Sequence, residues 1–221
     1  MTGCWAIWEK RNKGVFDNGE WRGEEVVRRM REIIWEMEGA IDNGVVNRER
    51  VGVADGDRGW VRPREGWVKV NVDAGVIEGV GTGLGVVCRN ASGSMEWGVT
   101  IQEARVITPV LAEALAVLQG LKEAKHAGIS SVVIENDCRG VVDDLKNRRS
   151  GRSEPFLIYK DILDICTCFE SVSFDFVRRN FNMVAHGLDH AMPWVAGRRS
   201  WNVDLLNWIM SLVLDDLIVR N

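Results

Sequence analysis

Hydrophobic and polar residues alternate strictly over residues 67–73, and a period of two is typical of a β-strand with two distinct faces. One face carries the apolar side chains Val68, Val70 and Val72, and the other carries Lys69, Asn71 and Asp73. This strand is predicted to end at Gly75. Strand-like segments follow at 83–89 and 95–102, with the turn sequence Asn-Ala-Ser-Gly between them. Three successive strands with short turns predict an antiparallel meander.

The rest of the chain mixes helical and strand patterns. Thr108 is predicted to cap a helix that has Pro109 at its first position and stops at Gly128. Residues 131–137 are apolar and β-branched, which predicts a buried central strand. The later elements are helix 138–147, helix 155–169, strand 171–179 and helix 183–192, the last of them capped by Asn182. The predicted order is therefore β-β-β-α-β-α-α-β-α.

These patterns divide the chain into four segments. Residues 1–42 have the spacing of amphipathic helices, and the glycine-rich, charged residues 43–66 are predicted to be a linker. Residues 67–195 form the predicted α/β domain. Residues 196–221 are predicted to be a polar joint followed by a helical tail.

Composition narrows the possible classes of function. The net charge is −4 and the pI about 5.5, which argues against strong non-specific binding to nucleic acid through phosphates. No apolar run reaches the ~18 residues of a membrane helix, and the amino terminus lacks the pattern of a signal peptide. The five cysteines show no CxxC spacing and are interpreted as reduced thiols. We therefore expect an intracellular protein of the nucleus or cytoplasm, with no membrane partner.

Three carboxylates fall where a parallel arrangement of strands would bring them together. Asp73 lies at the predicted end of the first strand, Asp137 at the end of the fourth, and Glu113 one turn into the long helix. Converging carboxylates repel one another, and proteins tolerate this mostly where a divalent cation neutralises them. Each residue also has an ordinary interpretation, since aspartates favour turns and glutamates favour the first turns of helices.

The motif set resembles a known family. GWVKVNVDAG, GLGVVCRNASG, PVLAEALAVLQGLKEAKHAGISSVVIENDC and SVSFDFVRRNFNMVAHGLDHA resemble the plant ribonuclease-H-like domains at the ends of non-LTR retrotransposon polyproteins. The opening WAIWEKRNKGVFDNG is similar to the segment just upstream of that domain. The resemblance implies an RNase H type 1 fold, with a mixed five-stranded sheet in order 3-2-1-4-5 and helices on both faces. It also implies metal-dependent hydrolysis of the RNA strand of RNA–DNA hybrids.

The resemblance also assigns roles to individual residues. It implies that Asp73, Glu113 and Asp137 are catalytic and hold two Mg²⁺ or Mn²⁺ ions. The fourth acidic position of the family is occupied here by His186, a departure from an all-oxygen site that magnesium would prefer. The candidate contacts to nucleic acid are Gly75, Asn136, Arg178, Arg179 and Asn182.

The charge of His186 and the role of its neighbours stay open at this level. The helix dipole disfavours an imidazolium near a helix start, whereas nearby carboxylates favour it. His186, Asp189 and His190 have spacing that places them on one helical face. This group is either a solvated helix edge, the ordinary interpretation, or a His-x-x-Asp-His zinc site.

Two classes of function follow from the sequence. The three intact carboxylates favour a metal-dependent nuclease. The histidine at position 186, the acidic pI and the absence of a basic, tryptophan-rich handle favour an inactive retroelement-derived module that binds nucleic acid or protein. The sequence does not indicate the physiological substrate, the oligomeric state or a protein partner.

Overall fold

The structure, a computed structural model, describes residues 60–191 and 194–201. The helical segment predicted for residues 1–42, residues 43–59 of the predicted linker, and residues 202–221 of the predicted tail lie outside the described residues. No helix in the described ranges is long and apolar enough to cross a membrane.

The described domain is built on one mixed sheet. Its strands are β1 (Val68–Ile77), β2 (Gly81–Arg89), β3 (Met95–Glu103), β4 (Ser131–Asn136), β5 (Ser171–Phe176) and β6 (Gly197–Trp201). They lie in the order β5-β4-β1-β2-β3-β6. β2 and β3 continue β1 as an antiparallel meander, whereas β4 is parallel to β1 and β5 is parallel to β4. The expected order 3-2-1-4-5 is therefore confirmed, and the sheet has a sixth strand.

The sixth strand corrects two expectations, the five-stranded sheet and the start of the helical tail. Residues Gly197–Trp201 pair antiparallel with β3 and extend the sheet beyond residue 195. The sequence Gly-Arg-Arg-Ser-Trp lacks the apolar alternation of a strand, but its polar side chains find partners on the domain. The Arg198 guanidinium donates to both carboxylate oxygens of Glu123 at 3.1 and 2.8 Å. Backbone pairing with β3 and these side-chain bonds fix the strand where its own hydrophobic pattern does not.

Within the described residues, four α-helices cover the two faces of the sheet, as expected. They are α1 (Pro109–His126), α2 (Arg139–Lys146), α3 (Glu154–Cys166) and α4 (Met183–Asp189). The apolar face of β1 packs with α1, α2 and α3 in the main core. α4 packs on the opposite face, where Val184, Ala185 and Leu188 meet Val87 and Met95.

The helix starts differ in detail from the predictions. Thr108 and Asn182 occupy the positions before α1 and α4, but neither side chain makes a capping hydrogen bond. Asn182 instead turns its amide into the sheet, where it donates to the Val72 carbonyl at 2.9 Å and accepts from the Asn71 amide at 3.2 Å. These hydrogen bonds join the amino-terminal end of α4 directly to β1.

A glycine in β2 lets α4 approach the sheet closely. A Cβ added at Gly85 would overlap the carbonyl oxygen of Ala185, the residue before His186. Only glycine leaves this space, because every other residue carries a Cβ. The close approach places the side chains of α4 beside the polar face of β1.

The end of the predicted linker belongs to the folded domain. Trp60 is only 2% exposed, and its indole N–H donates to the Asn71 side-chain oxygen at 3.0 Å. The Arg89 guanidinium stacks 3.6 Å from the centre of its ring. The prediction of a linker through residue 66 is therefore wrong for Trp60. Its buried ring packs on the Arg89 guanidinium and its indole N–H bonds to Asn71, so the residue belongs to the sheet.

Candidate functional site

Asp73 and Asp137 lie where strands β1 and β4 separate. The last parallel pair between these strands joins Val72 and Asn136, and each aspartate is the next residue. β1 continues to Ile77 with β2 as its only neighbour there, so the strand does not end at the predicted glycine. The divergence of the two strands leaves both aspartates at one edge, as the topology predicted.

Glu113 reaches this edge from the second turn of α1. Oxygen atoms of Asp73, Glu113 and Asp137 lie within 4.8 Å of one another, which agrees with the expected carboxylate cluster. The amide of Asn136 donates to Glu113 Oε2 at 2.8 Å, and its own oxygen accepts the backbone N–H of Cys138 at 2.7 Å. Asn136 therefore fixes the Glu113 carboxylate from a fully buried position.

The pKa values of Glu113 and Asp137 show that bringing the carboxylates together in a buried place disfavours their ionised forms. Burial raises the pKa of Glu113 from 4.5 to about 8, and the neighbouring charge of Asp73 raises it further in the same direction. Burial, and then Asp73, raise the pKa of Asp137 from 3.8 to about 6. Ionisation of Glu113 and of Asp137 is therefore disfavoured in the folded protein, and a cation among the carboxylates would remove the repulsion.

His186 supplies one positive charge beside the cluster. Its Nδ1 lies 2.8 Å from Asp73 Oδ2 and 3.7 Å from Asp189 Oδ2. The carboxylate of Asp189, and then that of Asp73, raise the pKa of the imidazole to about 10. The influence of the carboxylates on the pKa of His186 therefore exceeds that of the helix dipole and favours the imidazolium while no metal ion is bound.

The donor set of the carboxylate cluster fits a hard divalent cation. All three residues offer oxygen atoms, which Mg²⁺ and Mn²⁺ prefer. Asp73 is buried and the other two are partly exposed, so the cluster faces solvent on one side. Asp73, Glu113 and Asp137 are thus the residues that could hold a metal ion here.

Two of the candidate nucleic-acid contacts lie on the surface next to the cluster. Arg178 and Arg179 are exposed, and Arg179 keeps 71% of its side-chain area accessible. The Arg179 Nε lies 4.0 Å from Asp137 Oδ2. The Arg179 guanidinium can therefore reach a phosphate that approaches the cluster.

The other three candidate contacts to nucleic acid are buried, and they position neighbouring groups of the site. Gly75, Asn136 and Asn182 have almost no accessible surface. Asn136 holds Glu113, Asn182 bonds to β1, and an added Cβ at Gly75 would lie 2.6 Å from the His190 ring. These three residues support the site from within the protein. None of them offers accessible surface to a bound nucleic-acid strand in this conformation.

Asp189 is the residue whose place the sequence analysis missed. It was grouped with a solvated helix edge, yet its exposed fraction is 0%. A signal was available, because Val184, Ala185 and Leu188 mark the buried face of α4, and Asp189 follows four residues after Ala185 on that same face. Asp189 therefore lies buried against the sheet, His186 is partly buried beside the cluster, and only His190 of this group is exposed to solvent.

Comparisons with known proteins agree with this arrangement. A family model described as reverse transcriptase-like matches residues 71–191. RNase H1 from the halophilic archaeon Halobacterium salinarum NRC-1 superposes with a TM-score of 0.52 at 19% identity, over 55% of this chain and 93% of that one. The amino-terminal RNase H domain of a Mycobacterium tuberculosis protein, solved as a fusion with maltose-binding protein, gives 0.51 at 22%, over 55% and 95%.

A third solved structure, LC11-RNase H1 in complex with RNA/DNA hybrid, gives a TM-score of 0.50 at 17% identity, over 55% of this chain and 92% of that one. At such identities the likeness shows a shared RNase H-like fold. Comparison with the curated proteins gives no significant match.

Proposed function

Because the chain belongs to the reverse transcriptase-like family, we propose that it is a metal-dependent endonuclease that hydrolyses the RNA strand of RNA–DNA hybrids. The observation that carries the proposal is the convergence of Asp73, Glu113 and Asp137 from β1, α1 and β4. The raised pKa values of Glu113 and Asp137, and the oxygen donors of all three residues, are properties that fit a site for a divalent cation.

Each residue of the cluster has a part that follows from its surroundings. Asp73, Glu113 and Asp137 would hold Mg²⁺ or Mn²⁺, which when bound activates a water molecule and stabilises the leaving oxygen. Asn136 keeps the Glu113 carboxylate aimed at the cluster. Arg179 stands on the rim, where it can bind a phosphate of the incoming strand.

Several observations support a nucleic-acid substrate. One similar solved structure, LC11-RNase H1, is a complex with RNA/DNA hybrid. The exposed Arg179 lies beside the cluster and Arg178 is its exposed neighbour in the sequence, although a net charge of −4 predicts only modest affinity for phosphates. The plant and non-LTR retroelement context implied by the sequence resemblance, and residence in the nucleus or cytoplasm, belong to the same proposal.

A cleavage assay tests the proposal directly. We expect the full chain to cut the labelled RNA strand of a hybrid with Mn²⁺ or Mg²⁺, and to leave double-stranded DNA intact. Asp73→Asn should lower the rate by at least about 100-fold, since it removes a carboxylate ligand of the ion. Asp161→Asn, which changes an exposed aspartate on α3 away from the site, is the matched control and should cut like the wild type. Equal rates for the two variants would contradict the proposal.

The contact between His186 and Asp73 favours a second candidate. An imidazolium 2.8 Å from Asp73 neutralises part of the cluster without a metal ion. The chain would then be an inactive, retroelement-derived module that binds nucleic acid or protein. Hybrid binding that is measurable by fluorescence anisotropy, with no cleavage by the wild type or by His186→Asp under either metal, would select this candidate.

A further inference from the structure

We propose that His186, Asp189 and His190 form a site for a transition-metal dication such as Zn²⁺, beside the carboxylate cluster but separate from it. The three residues lie at the carboxyl end of α4, and their spacing of three and four residues brings them to one face. Their ligand atoms lie within 4.8 Å of one another. This site goes beyond the proposed nuclease activity and does not depend on it.

The carboxylate of Asp189 lies between the two imidazole rings. Its Oδ1 contacts His190 Nδ1, and its Oδ2 is 3.7 Å from His186 Nδ1. The ring centres of the two histidines are 4.7 Å apart. Each carboxylate oxygen therefore faces one ring nitrogen, and a single ion can be reached by groups from all three residues.

A buried and unpartnered oxygen points to a missing ligand. Asp189 is 0% exposed, and its Oδ2 has no hydrogen-bond partner among the residues that the structure describes. An ionised carboxylate oxygen without a partner in the protein interior is costly. No hydrogen bond among the described residues compensates for this cost, and a cation bound at this oxygen would do so.

The neighbouring strand leaves the necessary room. A Cβ added at Gly75 of β1 would lie 2.6 Å from the His190 ring and 3.0 Å from Asp189 Oδ2. Any side chain at this position would displace the group, so the glycine makes space for the two side chains. Gly75 thus lets the two side chains lie against β1, and the unpartnered oxygen of Asp189 is the observation that points to a ligand.

The chemistry of the donors selects the kind of metal. Two neutral imidazole nitrogens and one carboxylate oxygen are a ligand set typical of Zn²⁺ with an open fourth position, so binding would release the proton that the carboxylates favour on His186. Mg²⁺ prefers oxygen and coordinates nitrogen poorly. His190 keeps 43% of its side-chain area accessible, so an ion can enter from solvent. The two neighbouring clusters should therefore take different metals.

The test uses the full chain after treatment with a chelator. Co²⁺, a spectroscopic substitute for Zn²⁺, is titrated in the presence of excess Mg²⁺, and Zn²⁺ is then added to displace it. We expect one equivalent of cobalt to give visible bands of nitrogen and oxygen ligands, and His190→Gln to weaken the binding by at least about tenfold. Thermal unfolding supplies a second readout, since Zn²⁺ should raise the Tm of the wild type but not of His190→Gln.

Two control variants separate this site from other sites. His126→Gln changes the exposed histidine of α1 and should bind cobalt like the wild type. Glu113→Gln damages only the carboxylate cluster, so it should also keep the cobalt bands even if hybrid cleavage fails. If His190→Gln does not fold, Asp189→Asn replaces it in the titration, because it keeps the shape of the side chain.

Three outcomes would overturn the proposal. In the first, His190→Gln binds cobalt as tightly as the wild type. In the second, Glu113→Gln abolishes the bands, which would assign the ion to the carboxylate cluster. In the third, intense thiolate-to-cobalt absorption appears, which would assign the ion to cysteines.

Discussion

Replacing Glu113 by glutamine should stabilise the metal-free protein at neutral pH. The change replaces an ionisable carboxyl group of the cluster by a neutral amide and keeps the size of the side chain. Glutamine also keeps an oxygen that can accept the hydrogen bond from the Asn136 amide, which is 2.8 Å long in the wild type. The variant therefore isolates the electrostatic contribution of this carboxylate.

The size of the effect follows from the pKa of Glu113. A rise from 4.5 to about 8 means that the folded state holds a proton which the unfolded chain releases. Stability then falls as pH increases from about 4.5 to about 8, by about 1.4 kcal/mol per pH unit, and levels off above that. At pH 7 the free energy of unfolding should be lower by about 3 kcal/mol because of Glu113.

The assay is urea unfolding of the wild type and Glu113→Gln at pH 5, 6, 7 and 8 with a chelator present. We expect the difference in free energy of unfolding to be small at pH 5 and to grow with each pH unit. Glu78→Gln, at an exposed turn position, is the matched control and should follow the wild type. Mg²⁺ at about 100 times its Kd should restore about 2.7 kcal/mol to the wild type and less to Glu113→Gln.

A constant difference between the two proteins at every pH would refute the reasoning. That result would mean that Glu113 is ionised in the folded state as readily as in the unfolded chain. A variant less stable than the wild type at pH 8 would refute it as well, because the carboxylate would then make favourable contacts as an anion.

Three further predictions follow from the same structure. Because manganese accepts nitrogen ligands more readily than magnesium, the wild type with His186 should cleave the hybrid faster with Mn²⁺ than with Mg²⁺. His186→Asp should raise the Mg²⁺-dependent rate at least about tenfold in the same assay. Trp60→Ala should lower the free energy of unfolding by about 3 kcal/mol or more in urea, since it empties a buried site on the sheet. Gly85→Ala should cost about 3 kcal/mol because its Cβ overlaps α4, whereas Gly140→Ala in α2 has open space and should stabilise the protein by about 0.5 kcal/mol.

The alternation of β1 made much of the fold predictable. Val70 and Val72 lie in the main core and Asn71 and Asp73 on the opposite face, as the period of two required. The parallel pairing of β1 and β4 then brought Asp73 and Asp137 to one edge. These inferences succeeded because they depend on local periodicity and on chain topology, which the order of residues encodes directly.

Features that depend on distant partners could not be predicted in this way. β6 has no apolar pattern of its own and is held by β3 and by the pair of Arg198 with Glu123. Trp60 followed a charged, glycine-rich stretch, yet its ring packs on the Arg89 guanidinium. Asn182 has a residue type suited to an N-cap, but its amide satisfies backbone and side-chain groups of β1 instead. In each case a tertiary contact outweighed the local preference.

Position 186 connects the two clusters and determines how Asp73 is used. While His186 donates to Asp73 Oδ2, that oxygen serves as the partner of an imidazolium, and one oxygen of Asp73 remains to face Glu113 and Asp137. An aspartate at 186 would return both oxygens to metal binding but add a fourth negative charge. His186 thus lowers the repulsion among the carboxylates in the absence of metal. It thereby reduces the stabilisation that a bound divalent cation would add to the cluster. The same ring nitrogen lies 3.7 Å from Asp189 Oδ2, so the charge of His186 acts on the carboxylates of both clusters.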